Sequence, residues 1–269
     1  MSCGVASLGM YDHPAQHAAN DRLWHEIARR LDARGVRAPG RLERSLSVEA
    51  VWRAPDLLFA QTCGYPLVSD PELALRVIGV PVYDAPGCAG GAHISHIVVR
   101  GDDPAATLEG FRGRRAAINA PGSNSGYNLF RATVAPLARD GRFFGAVVET
   151  GSHRDSVDAV RVGRADIAAI DAVTFAALCR YEPEATAGLR ILANTAPSPT
   201  LPFVTARSTD GATVAALRIA LAEAVGDPAL ADVRAALFLA DVLPGGADRY
   251  DRVRALESDA VAAGYPALR

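Results

Sequence analysis

Apolar and polar positions change their period repeatedly along this 269-residue chain. Val5 to Tyr11 reads as a first strand. From about Asn20 to Ala33, Leu23, Ile27 and Leu31 recur every four residues with charged positions between them, which predicts an amphipathic helix stopped at Gly35. Asp56 to Ala60 and Leu75 to Tyr83 read as apolar strands, and His93 to Arg100 as another. The alternation then tightens. Strands are predicted at Arg115 to Asn119, Phe144 to Thr150, Ala165 to Ile170 and Arg190 to Ala193. Helices at Asn124 to Ala138, Ser156 to Val162 and Thr174 to Tyr181 fall between them. After a proline-punctuated connector, Phe203 to Ala206 is extended, and helical stretches at about Ala212 to Val225, Pro228 to Ala240 and Arg249 to Ala263 finish the chain. Strand and helix taking turns at this pace predicts an α/β fold with mostly parallel sheets.

Three connections carry polar side chains where such folds keep ligands. Ala120-Pro-Gly-Ser-Asn-Ser-Gly-Tyr127 stands between a strand and a helix. The first-turn N–H groups of a helix lack intrahelical partners and the helix dipole is positive there, so Ser123, Asn124 and Ser125 form a candidate oxyanion seat as well as a cap. His153, in Thr150-Gly-Ser-His153, follows the carboxyl end of the next strand, where open α/β sheets bind their ligands. Asp166 and Asp171 bracket the apolar run Ile167 to Ile170. Asp171, again at a strand's carboxyl end, is suited either to capping the next helix or to accepting a proton from a hydroxyl, an amine or a protonated phosphoryl oxygen. Tyr11 and the Gln61-Thr62 pair follow strands in the same way and are candidates to complete a pocket.

Composition narrows the chemistry. Every one of the 28 basic residues is Arg, which removes lysine Schiff bases, lysine-held pyridoxal phosphate and the P-loop lysine. A formal net charge of -2 gives no basic field for nucleic acid. No apolar run reaches the roughly 20 residues that span a bilayer, so no membrane insertion is expected. His25-Glu-Ile-Ala-Arg29 lacks the second histidine of a zincin helix, and His13 and His17 lack a nearby third ligand, so no metal is expected. Gly87-Cys-Ala-Gly-Gly91 does not have dinucleotide-fingerprint spacing, and no Gly-x-Ser-x-Gly elbow occurs. No cofactor is expected. Cys3, Cys63, Cys88 and Cys179 show no zinc spacing; they read as thiols, with a Cys63–Cys88 disulfide open as an alternative.

The stretch Ser123-Asn-Ser-Gly-Tyr-Asn-Leu-Phe130, then Gly151-Ser-His153, then Asp158-Ala-Val-Arg-Val-Gly-Arg-Ala-Asp-Ile-Ala-Ala-Ile-Asp171 resembles the phosphate/phosphite/phosphonate-binding proteins of ABC transporters. The resemblance implies a two-lobed, type 2 periplasmic-binding fold with a hinge of crossing strands and no linker. One lobe is expected to hold residues 1–97 and 202–269 and the other, inserted, residues 98–201, with the ligand cleft between them. It also implies that Ser123, Asn124, Ser125 and His153 hold a small oxyanion while Asp171 reaches the ligand's other end. Where family members place an aromatic side chain after the strand ending at Ala60, this chain has Gln61.

The expected role is the solute-binding component of an ABC transporter: a monomer partnered by a permease, with no turnover. The absence of a basic and apolar leader segment reads as cytoplasmic for the chain as it stands, or periplasmic if a leader lies outside it. A second reading is a cytoplasmic enzyme on the same fold, similar to the chorismate-dehydratase group of menaquinone-pathway enzymes, with His153 or Asp171 as acid or base. A third, a transcription-factor effector domain, lacks room before the first strand for a helix-turn-helix.

Overall fold

The computed structural model describes residues 4–269, so Cys3 lies outside the described residues. The longer strands are β1 (Val5–Ser7), β2 (Leu57–Gln61), β3 (Leu75–Tyr83), β4 (Ser95–Arg100), β5 (Arg115–Ile118), β6 (Ala146–Glu149), β7 (Ile167–Asp171), β8 (Leu189–Asn194), β9 (Phe203–Ala206) and β10 (Leu239–Leu243). The chain divides into two units. The first takes the residues up to Asp84, Ala89–Gly91 and Pro199–Tyr250; the second takes Ala85–Cys88, Ala92–Ser198 and Asp251–Arg269.

The first unit is built on a sheet of order β1-β2-β9-β3-β10. Its core includes Trp24, Ile27 and Leu31 from the helix His17–Asp32, all essentially inaccessible. Trp24 packs on Phe59, and Phe59 stacks on Phe203 at 5.4 Å between centroids. The four-residue recurrence read from the sequence is therefore the buried stripe of this helix.

The second unit is built on a sheet of order β8-β4-β7-β5-β6. Its central strands are buried on both faces. Ile97, Val99, Ala116, Ile118, Ile167 and Ala169 join one core, while Val98, Ala117, Ala168 and Ile170 join the other. Successive side chains point to opposite faces. A strand covered on both sides therefore reads as a continuous apolar run, as Ile167 to Ile170 does.

The sheets are mixed, which corrects the expectation of mostly parallel ones. β1–β2, β5–β6 and β5–β7 pair parallel. β9 runs antiparallel between β2 and β3, β10 runs antiparallel to β3, and β4 runs antiparallel to both β7 and β8. A crossover connection joins strands that run parallel in one sheet, and the handedness rule applies only to such a connection. β9 enters the first unit's sheet after the chain has visited the second unit, and that rule does not reach it.

Three further expectations are corrected. The C-terminal segment does not stay with the first unit. Ala260, Tyr265 and Leu268 belong to the second unit's core, and the Arg269 carbonyl accepts from the Phe143 and Phe144 amides at 2.6 and 3.0 Å. The helix expected to reach Ala240 stops at Leu237. Phe238 adopts a left-handed backbone conformation (φ 53°), and the following residues pair with β3 as strand β10. The alternative Cys63–Cys88 disulfide is the third: Cys63, Cys88 and Cys179 are not in disulfides, in keeping with the reading as thiols.

Candidate functional site

Five of the sequence-predicted residues come together in the second unit. The loop after β5 runs into a continuous helical stretch that opens with a π turn, Asn124–Asn128, and continues as the helix Leu129–Val134. In the π turn the Asn128 amide reaches back to the Ser123 carbonyl at 3.0 Å. Such wide turns recur at functional sites. Ser123 caps it, its Oγ accepting from the Gly126 amide at 3.0 Å. Asn124 is buried: its Nδ2 donates to Ser198 Oγ at 2.8 Å, and its Oδ1 accepts from Asn128 Nδ2 at 3.2 Å. Ser95 Oγ donates to the Ser125 carbonyl at 2.9 Å, tying the turn to β4.

His153 opens the helix His153–Arg161, which Ser152 caps. Its Nε2 lies 2.8 Å from Ser125 Oγ. Burial pushes the His153 imidazole down to about 4 against the pull of the Asp171 carboxylate, with the nearby His93 adding to the depression. His153 is therefore neutral at physiological pH.

Gly126 is required by this packing. A Cβ built on it meets Asn119 Oδ1 at 2.0 Å and His153 Cε1 at 3.0 Å. The glycine lets the turn lie directly against both side chains.

Asp171 ends β7 and caps the helix Ala172–Tyr181, its Oδ1 accepting from the Val173 and Thr174 amides at 2.9 and 3.1 Å. Its Oδ2 lies 2.8 Å from Nδ1 of His93, and both side chains are almost wholly buried. Although burial opposes ionisation, the contact with His93 and the helix amides hold the carboxyl down to about 2. Asp166, the other acid of that run, is bound instead to Arg115 at 2.9 Å.

Two buried polar atoms near this cluster have no hydrogen-bond partner, His93 Nε2 and Asn119 Oδ1. Buried polar atoms are nearly always satisfied, so a concentration of exceptions marks a place built for something else.

The other three predicted residues lie in the first unit. Gln61 ends β2; its Nε2 donates to Tyr83 Oη at 2.8 Å, and its carbonyl accepts from Trp52 Nε1 at 2.8 Å. Tyr11 meets Tyr83 edge-on at 5.5 Å. Tyr11, Gln61 and Tyr83 line a cavity of about 20 Å³, room for one water molecule. Thr62 is buried, and its amide donates to the Pro202 carbonyl at 3.1 Å.

The family model described as "ABC transporter, phosphonate, periplasmic substrate-binding protein" matches residues 55–250 of the chain. The chain belongs to that family. No curated protein matches it. A binding-protein component of an ABC phosphonate transporter from Pseudomonas aeruginosa shares the fold with a TM-score of 0.74 at 15% identity, covering 91% of this chain and 82% of its own. PhnD1 from Prochlorococcus marinus, solved with methylphosphonate, gives 0.71 at 14%, covering 95% and 96%. XAC2383 from Xanthomonas citri, solved with chloride, gives 0.72 at 18%, covering 97% and 99%.

In this phosphonate-family binding protein the loop at Ser123–Ser125 and His153 stand together at one place, as the motif order implied. The structure adds three residues that the sequence reading passed over. His93 and Tyr83 lie far along the chain from Asp171 and Gln61, in segments without a local motif, whereas Asn119 stands directly before the Ser123–Ser125 loop. One cue, a polar or aromatic side chain at the end of an apolar run, is visible for Tyr83 and Asn119. Among the described residues, no three His, Cys, Asp or Glu side chains form a metal-binding group, and no helix is long and apolar enough to cross a membrane.

Proposed function

We propose that this solute-binding protein captures a small tetrahedral oxyanion of the phosphonate or phosphate class in the periplasm, as a monomer, and presents it to an ABC permease without turning it over. The Ser125–His153 contact carries this reading: two short polar side chains meet at the mouth of a helix, beside buried polar atoms that lack partners. The N–H groups of the π turn and the Ser125 hydroxyl are donors suited to anionic oxygens. Ser123 and Asn124 shape the turn, and His153 and Asp171 flank it. Tyr11, Gln61 and Thr62 are the first unit's candidate ligand contacts.

The test is thermal unfolding of ligand-stripped protein against phosphate, phosphite, phosphonates, sulfate and aromatic carboxylates. A ligand at a thousand times its Kd adds about 4 kcal/mol, a rise on the order of 8 °C for a chain of this size. A rise with a phosphorus oxyanion that Ser125→Ala cuts by a third or more is the expected result. A shift with a carboxylate alone overturns the reading and favours the enzyme on this fold.

A further inference from the structure

Asn128 and Arg131 follow the candidate oxyanion seat in the second unit, and the proposed function gives neither of them a task. Both are buried. Asn128 closes the wide turn. Its amide bonds to the Ser123 carbonyl, five residues back, and the Leu129 amide bonds in the same way to the Asn124 carbonyl. The Asn128 side chain is engaged at every position. Its Nδ2 donates to Asn124 Oδ1 at 3.2 Å and to the Val253 carbonyl at 2.9 Å, and its Oδ1 accepts from Arg131 at 2.7 Å. Reversing the amide would set its oxygen against two acceptors and its NH2 against a guanidinium, so its partners fix its orientation.

Arg131 is an unfavourable residue for a core. Its ion pair with Glu257 is long, at 3.8 Å, and its Nε is buried without a hydrogen-bond partner. A buried charge held so loosely destabilises a fold that an apolar side chain of similar size would serve better. What the guanidinium supplies is direction. One terminal nitrogen donates to Asn128 Oδ1 and the other to the Pro266 carbonyl at 2.9 Å, while the group lies over the Tyr127 ring at 5.2 Å. Val253 belongs to the helix Asp251–Ala262, and Pro266 follows that helix. The turn is thus tied at two points to the C-terminal segment.

Resting on the oxyanion reading above, we infer that Asn128 and Arg131 are positioning residues that hold the seat in its wide-turn form, and that through them the C-terminal segment sets the affinity of the seat. An ordinary helix bonds each amide four residues back, and turns widened by one residue are rare. Narrowing this turn to the ordinary form removes one residue from it and rotates the residues before it by about 100° relative to the helix. Ser125 Oγ, 2.8 Å from His153 Nε2 in the wide form, then leaves its partner and the seat comes apart.

The experiment reads affinity and turn geometry separately in the full chain. Calorimetry gives the affinity for methylphosphonate. In the ligand-free protein, the NMR coupling across the hydrogen bond of the Asn128 amide nitrogen reports which carbonyl carbon, that of Ser123 or that of Asn124, it is bonded to. Arg131→Met is expected to weaken methylphosphonate by about tenfold or more, the loss of one good hydrogen bond, and to move the coupling from Ser123 to Asn124. Arg131→Lys keeps the charge without the planar fork and should weaken binding by about fivefold or more. Phe111→Leu, buried in the same core away from these bonds, should lose stability in urea yet bind within about twofold of the wild type.

Unchanged affinity in both Arg131 variants overturns the inference. So does full affinity in Arg131→Lys beside a loss in Arg131→Met, because charge rather than position is then the cause. A coupling that stays on Ser123 while affinity falls overturns it too, as does a loss in Phe111→Leu equal to that in Arg131→Met. If Arg131→Met does not fold, Arg131→Lys decides both readouts. A wild-type chain that binds no oxyanion overturns the reading of the site, and the coupling alone then decides whether Arg131 holds the turn.

Discussion

Ser125 Oγ and His153 Nε2 lie 2.8 Å apart, one on the π turn after β5 and the other at the start of the helix after β6. Because burial keeps the imidazole neutral, the proposed function has the pair meet an incoming anion through the hydroxyl and the turn amides rather than through a formal positive charge. Attraction then depends on short, aligned hydrogen bonds, which are worth about 1.5–3 kcal/mol each to a charged acceptor.

Removing either partner should accordingly weaken oxyanion binding by about 10- to 100-fold. Ser125→Ala and His153→Ala, measured by calorimetry with methylphosphonate, should fall in that range. Because the residues touch, the double variant should lose less than the sum. Full additivity would mean that the two act separately.

Gly126→Ala places a methyl group 2.0 Å from Asn119 Oδ1. Overpacking of this kind costs about 1–3 kcal/mol. Urea unfolding should show that loss, and ligand affinity should fall with it as the turn is pushed from His153. Adding Asn119→Ala should restore most of the stability; failure to do so would place the strain elsewhere.

Acid should destabilise the fold in two stages. The His153 imidazole goes from 6.5 in the unfolded chain to about 4 in the folded one. Below pH 6.5 the unfolded chain therefore takes up a proton that the folded chain refuses, and stability falls as the pH drops from 6.5 to 4, by about 3 kcal/mol. Asp171 is lowered as well, from 3.8 to about 2. Its contribution is whole above pH 3.8 and is lost as the pH drops towards 2. Urea midpoints across this range should flatten between pH 6.5 and 4 in His153→Gln; an unchanged slope would assign the acid lability to other groups.

Tyr265 is wholly buried in the second unit, with its hydroxyl hydrogen-bonded to both the amide and the carbonyl of Arg269 at 3.0 Å. Tyr265→Ala should cost about 3–5 kcal/mol. Both tryptophans, Trp24 and Trp52, lie in the first unit. Unfolding followed by circular dichroism should therefore begin earlier in this variant, while the tryptophan-fluorescence transition shifts less. Equal shifts in both signals would show that the units unfold as one.

The sequence disclosed those elements whose signals are local. β3 and β9 begin and end where their apolar runs do, at Leu75–Tyr83 and Phe203–Ala206. The helix His17–Asp32 shows its stripe directly. The Ser123–Ser125 loop was legible because capping chemistry is written in adjacent residues. Sheet direction was not, since β9 reaches its place by way of another unit and its residues carry no mark of that route. The short helix Val48–Trp52 escaped notice because its one signal is the Ser47 cap. His93 was missed for the same kind of reason: 78 positions separate it from Asp171, and only the pairing of β4 with β7 brings the two together.

The way the chain threads between the units has a consequence for its synthesis. The first unit lacks β9 and β10 until residues up to Tyr250 have emerged, and the second lacks its Tyr265 and Leu268 anchors until after that. Domains formed from one uninterrupted stretch can finish in order as they leave the ribosome. Here an early segment has no complete partner to fold against, so both hydrophobic cores stay open for most of translation and close almost together.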